Sequence, residues 1–204
     1  AGVNAGNSIT SGGNYNVTLG DEAGTAITTG DANTFVGFEA GKTISTASEN
    51  TAFGYQALKL NAAGDGNTAI GVKAMDANVT GDRNVAVGSD ALGAMNPDSN
   101  ADMYNTAVGY NAGGAVTTGT QNTLIGGLAG DATTTGTGNT AIGQESLGVN
   151  TTGSDNVAIG RDALDANTTA SDNTAVGKSS LGGNTTGASN VAVGRSALLS
   201  NTTA

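Results

Sequence analysis

The chain has 204 residues, 34 of them glycine, and a net charge of −10, with no cysteine, histidine or tryptophan. An acidic surface repels nucleic acid and anionic lipid, and no apolar stretch approaches the ~18 residues of a membrane span, so we expect neither nucleic-acid binding nor membrane insertion. Without histidine or cysteine a nucleophile–histidine pair is impossible. We therefore expect a protein that is not an enzyme and has no catalytic, metal or cofactor site.

One pattern fills almost the whole chain. Residues 1–15 form a degenerate leading half-repeat, and from 16 to 204 the motif Asn-x-x-aliphatic-Gly recurs every 17 residues. The exception is a step of 21 residues, which places a four-residue insertion near 96–104. Repetition at a fixed period is the signature of stacked repeats. The sequence predicts one all-β domain over 16–204, a β-solenoid or β-roll of about eleven coils. Their first residues are Asn16, Asn33, Asn50, Asn67, Asn84, Asn105, Asn122, Asn139, Asn156, Asn173 and Asn190.

Each coil is numbered here from its asparagine, which is position one. Positions two to four are rich in Thr, Val and Ile, which favour a strand, and glycine follows at position five. A helix with glycine at a regular interior position would lose about 1 kcal/mol each time. We predict a strand at positions two to four, a bend at the glycine, and a second extended segment near positions eight to fourteen. The aliphatic residue at position four, for example Val87, is expected in the core.

Positions nine and twelve vary together. Most coils carry Leu or Met at position nine and Asn at position twelve, as in Leu58 and Asn61. Four coils carry Gly at position nine and Ile, Val or Thr at position twelve, as in Gly41 and Ile44. Because an empty core slot costs packing energy, we predict that the two positions fill the same slot.

Stacked identical coils place identical residues in columns. We expect the position-one asparagines to hydrogen bond along the stack. Alanine columns such as Ala158 and Ala163 would let another backbone approach closely, which favours a homotrimer. The repeat ends at 201–204 without a polar capping repeat, so we expect end-to-end continuation as part of a longer fibre. The residues predicted to form the structural ladder include Asn67, Gly71, Asn156, Gly160, Asn173 and Gly177.

Two irregular places are candidate contact surfaces, since binding residues often lie on loops of a rigid scaffold. One is the insertion, which holds the only proline and is expected to bulge from the solenoid. The other is an aromatic patch that includes Phe35 and Phe53. The alternative interpretation is that both places seal the trimer interface or an end of the fibre. The candidate contact residues are Asn96, Pro97, Asp98, Tyr104, Phe38 and Tyr55, and the partner would be a host-surface receptor or a glycan.

Other patterns are compatible with different chemistry. Glu22 and Glu39 stack on neighbouring coils, and a carboxylate pair can hydrolyse glycosides, but the aromatic platforms of a sugar cleft are not beside them. Carboxylates at bends, such as Asp155 and Asp172, could hold a cation, although solvated acidic turns are the simpler interpretation. Recurring Thr-Thr pairs, as at Thr151, suggest an ice-binding face, although only one threonine of each pair would point outward.

The repeats "NTAIGQESLGVNTTG" and "NTAVGKSSLGGNTTG" resemble the arrays of bacteriophage tail-fibre proteins. They also resemble, more distantly, the NSVAIG repeats in head domains of trimeric autotransporter adhesins. The resemblance covers about 16–204 and implies a trimeric β-solenoid fibre that is extracellular or on a virion surface. It implies a rigid spacer and host-attachment surface. The alternative is a self-assembling extracellular filament or matrix protein, with an ice-binding solenoid as a minor candidate.

Overall fold

The computed structural model describes residues 2–9 and 12–203, and in that range the chain contains strands and turns but no helix. A three-residue strand occupies positions two to four of every coil, as predicted. The strands are β1 (Val17–Leu19), β2 (Thr34–Val36), β3 (Thr51–Phe53), β4 (Thr68–Ile70), β5 (Gly81–Asp82), β6 (Val85–Val87), β7 (Ala101–Asp102), β8 (Thr106–Val108), β9 (Thr123–Ile125), β10 (Thr140–Ile142), β11 (Val157–Ile159), β12 (Thr174–Val176) and β13 (Val191–Val193).

The coils form two compact units, Ala1–Tyr104 and Asn105–Ala204. In the first unit β1, β2, β3, β4 and β6 pair in parallel in that order, and in the second unit β8 to β13 do the same. The register joins equivalent positions, so Thr140 lies beside Val157 and Ile142 beside Ile159. This confirms the β-solenoid fold. A single uninterrupted solenoid over 16–204 stays a prediction.

The second extended segment predicted near positions eight to fourteen is wrong. Positions six to eleven form turns, as at 55–60. The residues at positions seven and nine take left-handed backbone angles, for example φ 56° at Gln56 and 53° at Leu58, so the chain coils tightly there. At position five the glycine is required, because a Cβ on Gly71 (φ 136°) would lie 2.5 Å from the carbonyl oxygen of Gly88 in the next coil.

The core lies inside each coil and consists of small and medium side chains. Alanine at positions three and eight, such as Ala52 and Ala57, and leucine at position nine, such as Leu58, are 0% exposed. The expectation that position four lies in the core is wrong: Phe53 is 56% exposed and Val87 is only half-buried. Side chains alternate along a strand, so a buried position three places positions two and four outside.

The alanine columns are therefore interior. Ala158 and Ala163 are 0% exposed within their own chain and cannot contact another copy, so they do not supply the predicted lateral contact. The homotrimer itself stays a prediction that needs a different surface.

Positions nine and twelve do share one core slot. A Cβ on Gly24 would lie 2.7 Å from Cδ1 of Ile27, which is the position-twelve residue of the same coil. The slot extends to position three as well, because a Cβ on Gly41 would lie 2.7 Å from the ring of Phe35. Phe35 and Ile27 are both 0% exposed. In the coil that starts at Asn33, the slot is thus filled by Phe35 and Ile44.

The insertion is a folded part of the first unit. Its strand β7 pairs in parallel with β5, and Met95 and Met103 are 0% and 1% exposed beneath it. Pro97 is buried over Gly81, where a Cβ would lie 3.2 Å from the proline Cγ. The extra residues therefore enlarge one coil, and a short segment around Asp98 remains at the surface.

Candidate functional site

The position-one asparagines form a continuous ladder inside each unit. The side-chain oxygen of Asn156 accepts hydrogen bonds from the backbone N–H of Asn173 at 3.1 Å and from its Nδ2 at 3.3 Å. The Nδ2 of Asn156 donates to the carbonyl of Ala170 at 2.9 Å. Asn67 makes the equivalent contacts to Asn84 and Gly81. Both polar atoms of these buried side chains are used internally, which leaves none of them for a ligand.

A second asparagine ladder, at position twelve, was not found by sequence reasoning. The Nδ2 of Asn167 donates to Oδ1 of Asn150 at 3.0 Å and to the carbonyl of Ala170 at 3.0 Å. The two ladders thus converge on the same position-fifteen carbonyl. The signal in the sequence is the coupling of Asn at position twelve to Leu at position nine, from which only the shared apolar slot was predicted.

The outward sheet face, defined as the strand side chains at coil positions two and four, is a regular surface of each unit. In the second unit it carries threonine and aliphatic side chains and no charge. Ile125 and Ile159 are 37% and 36% exposed. Because equivalent residues pair in register, this face repeats the same chemistry at every coil, about 4.8 Å apart.

Two exposed columns border that face. The entry column is position seventeen of the preceding coil, two residues before each strand, and the exit column is position six, two residues after it. Around β11 these positions hold Asp155 and Arg161, and around β12 they hold Asp172 and Lys178, all four exposed. Arg161 lies 3.2 Å from Asp162, and no ion pair is formed by the other three among the residues that the structure describes.

The predicted aromatic contact residues lie partly in the exit column. Phe38 and Tyr55 are 42% and 47% exposed, and their rings stack with centroids 5.4 Å apart and planes 14° apart. Phe53 is exposed on the outward sheet face beside them, whereas Phe35 is in the core. The patch therefore contains three surface aromatics.

The insertion presents fewer contact residues than predicted. Asn96 and Asp98 are exposed, but Pro97 is buried. Tyr104 is 51% exposed, and its hydroxyl donates to Oδ2 of Asp102 at 2.9 Å. The structure does not join the insertion and the aromatic patch through any recorded contact within the described part of the chain.

The carboxylates Glu22 and Glu39 are bridged by one ammonium group. Nζ of Lys42 lies 2.5 Å from Oε2 of Glu22 and 2.6 Å from Oε1 of Glu39, and Nζ of Lys59 lies 2.7 Å from Oε2 of Glu39. Hydrogen bonds from Lys42, Lys59 and Gln56 lower the pKa of Glu39 to about 2. Both carboxylates are held as ion-pair partners, an arrangement unlike the acid and base of a glycosidase.

Carboxylates at position ten lie among other acids. Burial, followed by the charges of Asp162, Glu145 and Asp131, raises the pKa of Asp165. No group of three or more acidic side chains is arranged to hold a metal ion within 2–9 and 12–203, and the same residues enclose no pocket. They also include no helix with the length and apolar character needed to cross a membrane.

In six of the seven Thr-Thr pairs, the hydroxyl of the first threonine donates a hydrogen bond to the next coil. Oγ1 of Thr134 donates to the carbonyl of Thr151 at 3.0 Å, and Oγ1 of Thr151 donates to that of Thr168 at 3.1 Å. The second threonine, such as Thr135 or Thr152, is exposed. Each pair thus presents one free hydroxyl column.

No protein-family model, curated protein or solved structure matches this chain. The class that the fold defines is a β-solenoid repeat protein with 17-residue coils. The resemblance to tail-fibre and adhesin-head repeats stays a prediction.

Proposed function

We propose that the chain is a structural fibre segment of a viral tail fibre or a surface adhesin, located outside the cell or on the virion. It acts as a rigid spacer. Support comes from the asparagine ladders, which within each unit connect neighbouring coils through buried hydrogen bonds. Backbone that is hydrogen bonded in this way offers few open sites to proteases. The exposed Phe38, Tyr55, Asn96 and Asp98 are available to a receptor or glycan.

The observation that carries this proposal is the unpartnered outward sheet face. Exposed apolar side chains recur along it, at Leu19, Phe53, Ile70, Ile125, Ile159 and Val193, in a chain whose net charge is −10. Because two acidic chains repel one another, association costs least where the two contacting surfaces carry no charge. Contiguous exposed apolar surface on a soluble protein marks an interaction site. In the proposed assembly three copies place their outward sheet faces around a common axis.

The test is the mass in solution, measured by size-exclusion chromatography with light scattering. A homotrimer gives three times 19.6 kDa. Ile125→Lys together with Ile159→Lys would place charges on the outward sheet face and should yield monomers. Thr135→Lys together with Thr152→Lys adds the same charge on the exposed turn and should leave the trimer intact. A monomeric wild-type protein, or a lysine variant of the sheet face that still forms trimers, would overturn the lateral contact.

A self-assembling filament is the second candidate. A filament would increase in mass with protein concentration. A mass that is constant with concentration would exclude this candidate.

A further inference from the structure

We propose that neighbouring copies meet in parallel and in register, with the entry column of one copy against the exit column of the next. The partner is a second copy of this chain, and the charged contacts are Asp155 with Arg161 and Asp172 with Lys178. This inference rests on the proposed function, because it assumes that copies associate through their outward sheet faces.

Each of the two columns places like charges on successive coils of one copy, and of these charges only Arg161 has an ion-pair partner within the described part of its own copy, Asp162. Asp155 and Asp172 lie one coil apart in the entry column, and Arg161, Lys178 and Arg195 lie one coil apart in the exit column. Like charges at neighbouring positions of adjacent strands destabilise a sheet. Three of the seven basic residues of the chain thus occupy successive positions of one column. A surface of opposite charge that follows the same spacing would remove both repulsions.

The opposite column of another copy is such a surface. The outward sheet face is three residues wide, about 10 Å, so the two columns lie at its two rims. When identical faces are arranged around a rotation axis, one rim of each copy meets the other rim of its neighbour, which is a heterologous contact. Parallel copies in register then place Asp155 opposite Arg161 and Asp172 opposite Lys178. An antiparallel pair would reverse the order of coils and lose both matches.

At five of the nine levels without an ion pair, the two columns match in side-chain size or hydrogen bonding, whereas the level of Tyr104 and Tyr110 brings two large rings together. In the second unit a glutamine of one copy would lie opposite a glycine of its neighbour at two levels. These levels pair Gln121 with Gly127 and Gly138 with Gln144. In the first unit Phe38 faces Ala32 and Val72 faces Gly66, while Tyr55 faces Glu49, whose carboxylate can accept from the phenol. These five levels bring no like charges together. Phe38 and Tyr55 then pack at the rim between copies, and in the assembly Asn96 and Asp98 rather than these two rings remain available to a receptor or glycan.

Charge reversal at one level tests the pairing. Asp172→Lys alone and Lys178→Asp alone each place like charges across every contact between copies, so the protein concentration at half-assembly should rise at least about tenfold. The double variant Asp172→Lys with Lys178→Asp should return that concentration to near the wild-type value. Asp98→Lys makes the same change in net charge outside both columns and should have no effect. Added salt should reduce the effect of the single variants.

The outcomes separate this inference from the proposed function. If wild type assembles and Asp172→Lys assembles equally well, the column pairing is wrong and lateral association through the sheet face survives. If both single variants dissociate and the double variant does not recover, the two side chains are not partners and the pairing is again overturned. A wild-type protein that is monomeric at all concentrations overturns both.

Discussion

Left-handed backbone recurs at fixed residues of every coil, and most of these residues are not glycine. Position nine is an example, with φ 53° at Leu58 and 57° at Gly41. For a residue with a side chain this conformation costs about 1–2 kcal/mol. Complete burial of the leucine offsets that cost, since burying such a side chain contributes about 1.5–3 kcal/mol. The same backbone accepts glycine when another residue fills the core, which explains why this column alternates between Leu and Gly.

Thr133 is a buried threonine at position twelve, where the other glycine coils have Ile or Val. It occupies position twelve of a glycine coil, is 0% exposed, and within the described residues its Oγ1 has no hydrogen-bond partner. Burying an unpaired hydroxyl costs about 1–3 kcal/mol, so Thr133→Val should raise the free energy of unfolding by about 1 kcal/mol. Chemical denaturation measures this change.

The control for Thr133 is its neighbour. Oγ1 of Thr134 donates to the carbonyl of Thr151 at 3.0 Å, so Thr134→Val should lower the free energy of unfolding. Equal destabilisation by both valine variants would show that the Thr133 hydroxyl has a partner after all.

At the scale of the element, different coils fill their interior in different ways, with different combinations of side chains. One way combines Ala, Leu and Asn at positions three, nine and twelve, as in Ala52, Leu58 and Asn61. The coil that starts at Asn33 instead combines Phe35, Gly41 and Ile44. All these side chains are 0% exposed, so either set fills the available volume. Close packing of this kind tolerates substitutions that conserve total volume.

Conversion of the second coil to the commoner set tests this view. Phe35→Ala alone leaves a void and should cost about 3–5 kcal/mol of unfolding free energy. Adding Gly41→Leu and Ile44→Asn should recover more than half of that loss, because the leucine refills the slot and the asparagine joins the position-twelve ladder. Urea denaturation of the single and triple variants measures the recovery.

The matched control for the coil conversion lacks the leucine. Phe35→Ala with Ile44→Asn removes apolar volume twice and should be the least stable of the series. If it equals the triple variant, positions three and nine do not share a slot.

At the scale of the whole molecule, acidic groups outnumber basic ones by 17 to 7. The environments of these acidic groups shift their pKa values in different directions. Burial raises the pKa of Asp76, Asp82, Asp131 and Asp165, so protonation of these groups stabilises the fold. Glu39 is the opposite case, since its lysine partners lower its pKa from 4.5 to about 2. The pH dependence of stability is therefore a sum of contributions with different signs.

Glu39 can be isolated with the variant Glu39→Gln. Because the folded pKa is lowered, the stability that Glu39 contributes is fully present above the unfolded value of 4.5 and is lost as pH falls toward about 2. Wild type should melt at a higher temperature than Glu39→Gln at pH 6, and the difference should shrink between about pH 5 and pH 2. Calorimetric melting at several pH values measures it. A difference that is constant over this range would mean that the Lys42 and Lys59 contacts do not stabilise the carboxylate.

Much of the fold could be predicted because it depends on residues that recur at a fixed period. The 17-residue period, the strand at positions two to four and the column of asparagines all follow from residues that repeat at identical positions. The coupling of Leu58 with Asn61, and of Gly41 with Ile44, also predicted a shared core slot that the packing confirms. Repetition supports these inferences, since the same residue pattern recurs in every coil.

Only the tertiary structure decided which way the strand faces. The pattern Thr-Ala-Val offers an alanine on one side and a valine on the other, and hydrophobicity alone favours the valine inside. The tight coil leaves little interior space, so Ala158 is enclosed and Ile159 lies at the surface. The sequence by itself thus determined the repeat, the strand and the ladder. The three-dimensional packing decided the outward sheet face and its bordering columns, because interior volume is a property of the closed coil rather than of any residue in it.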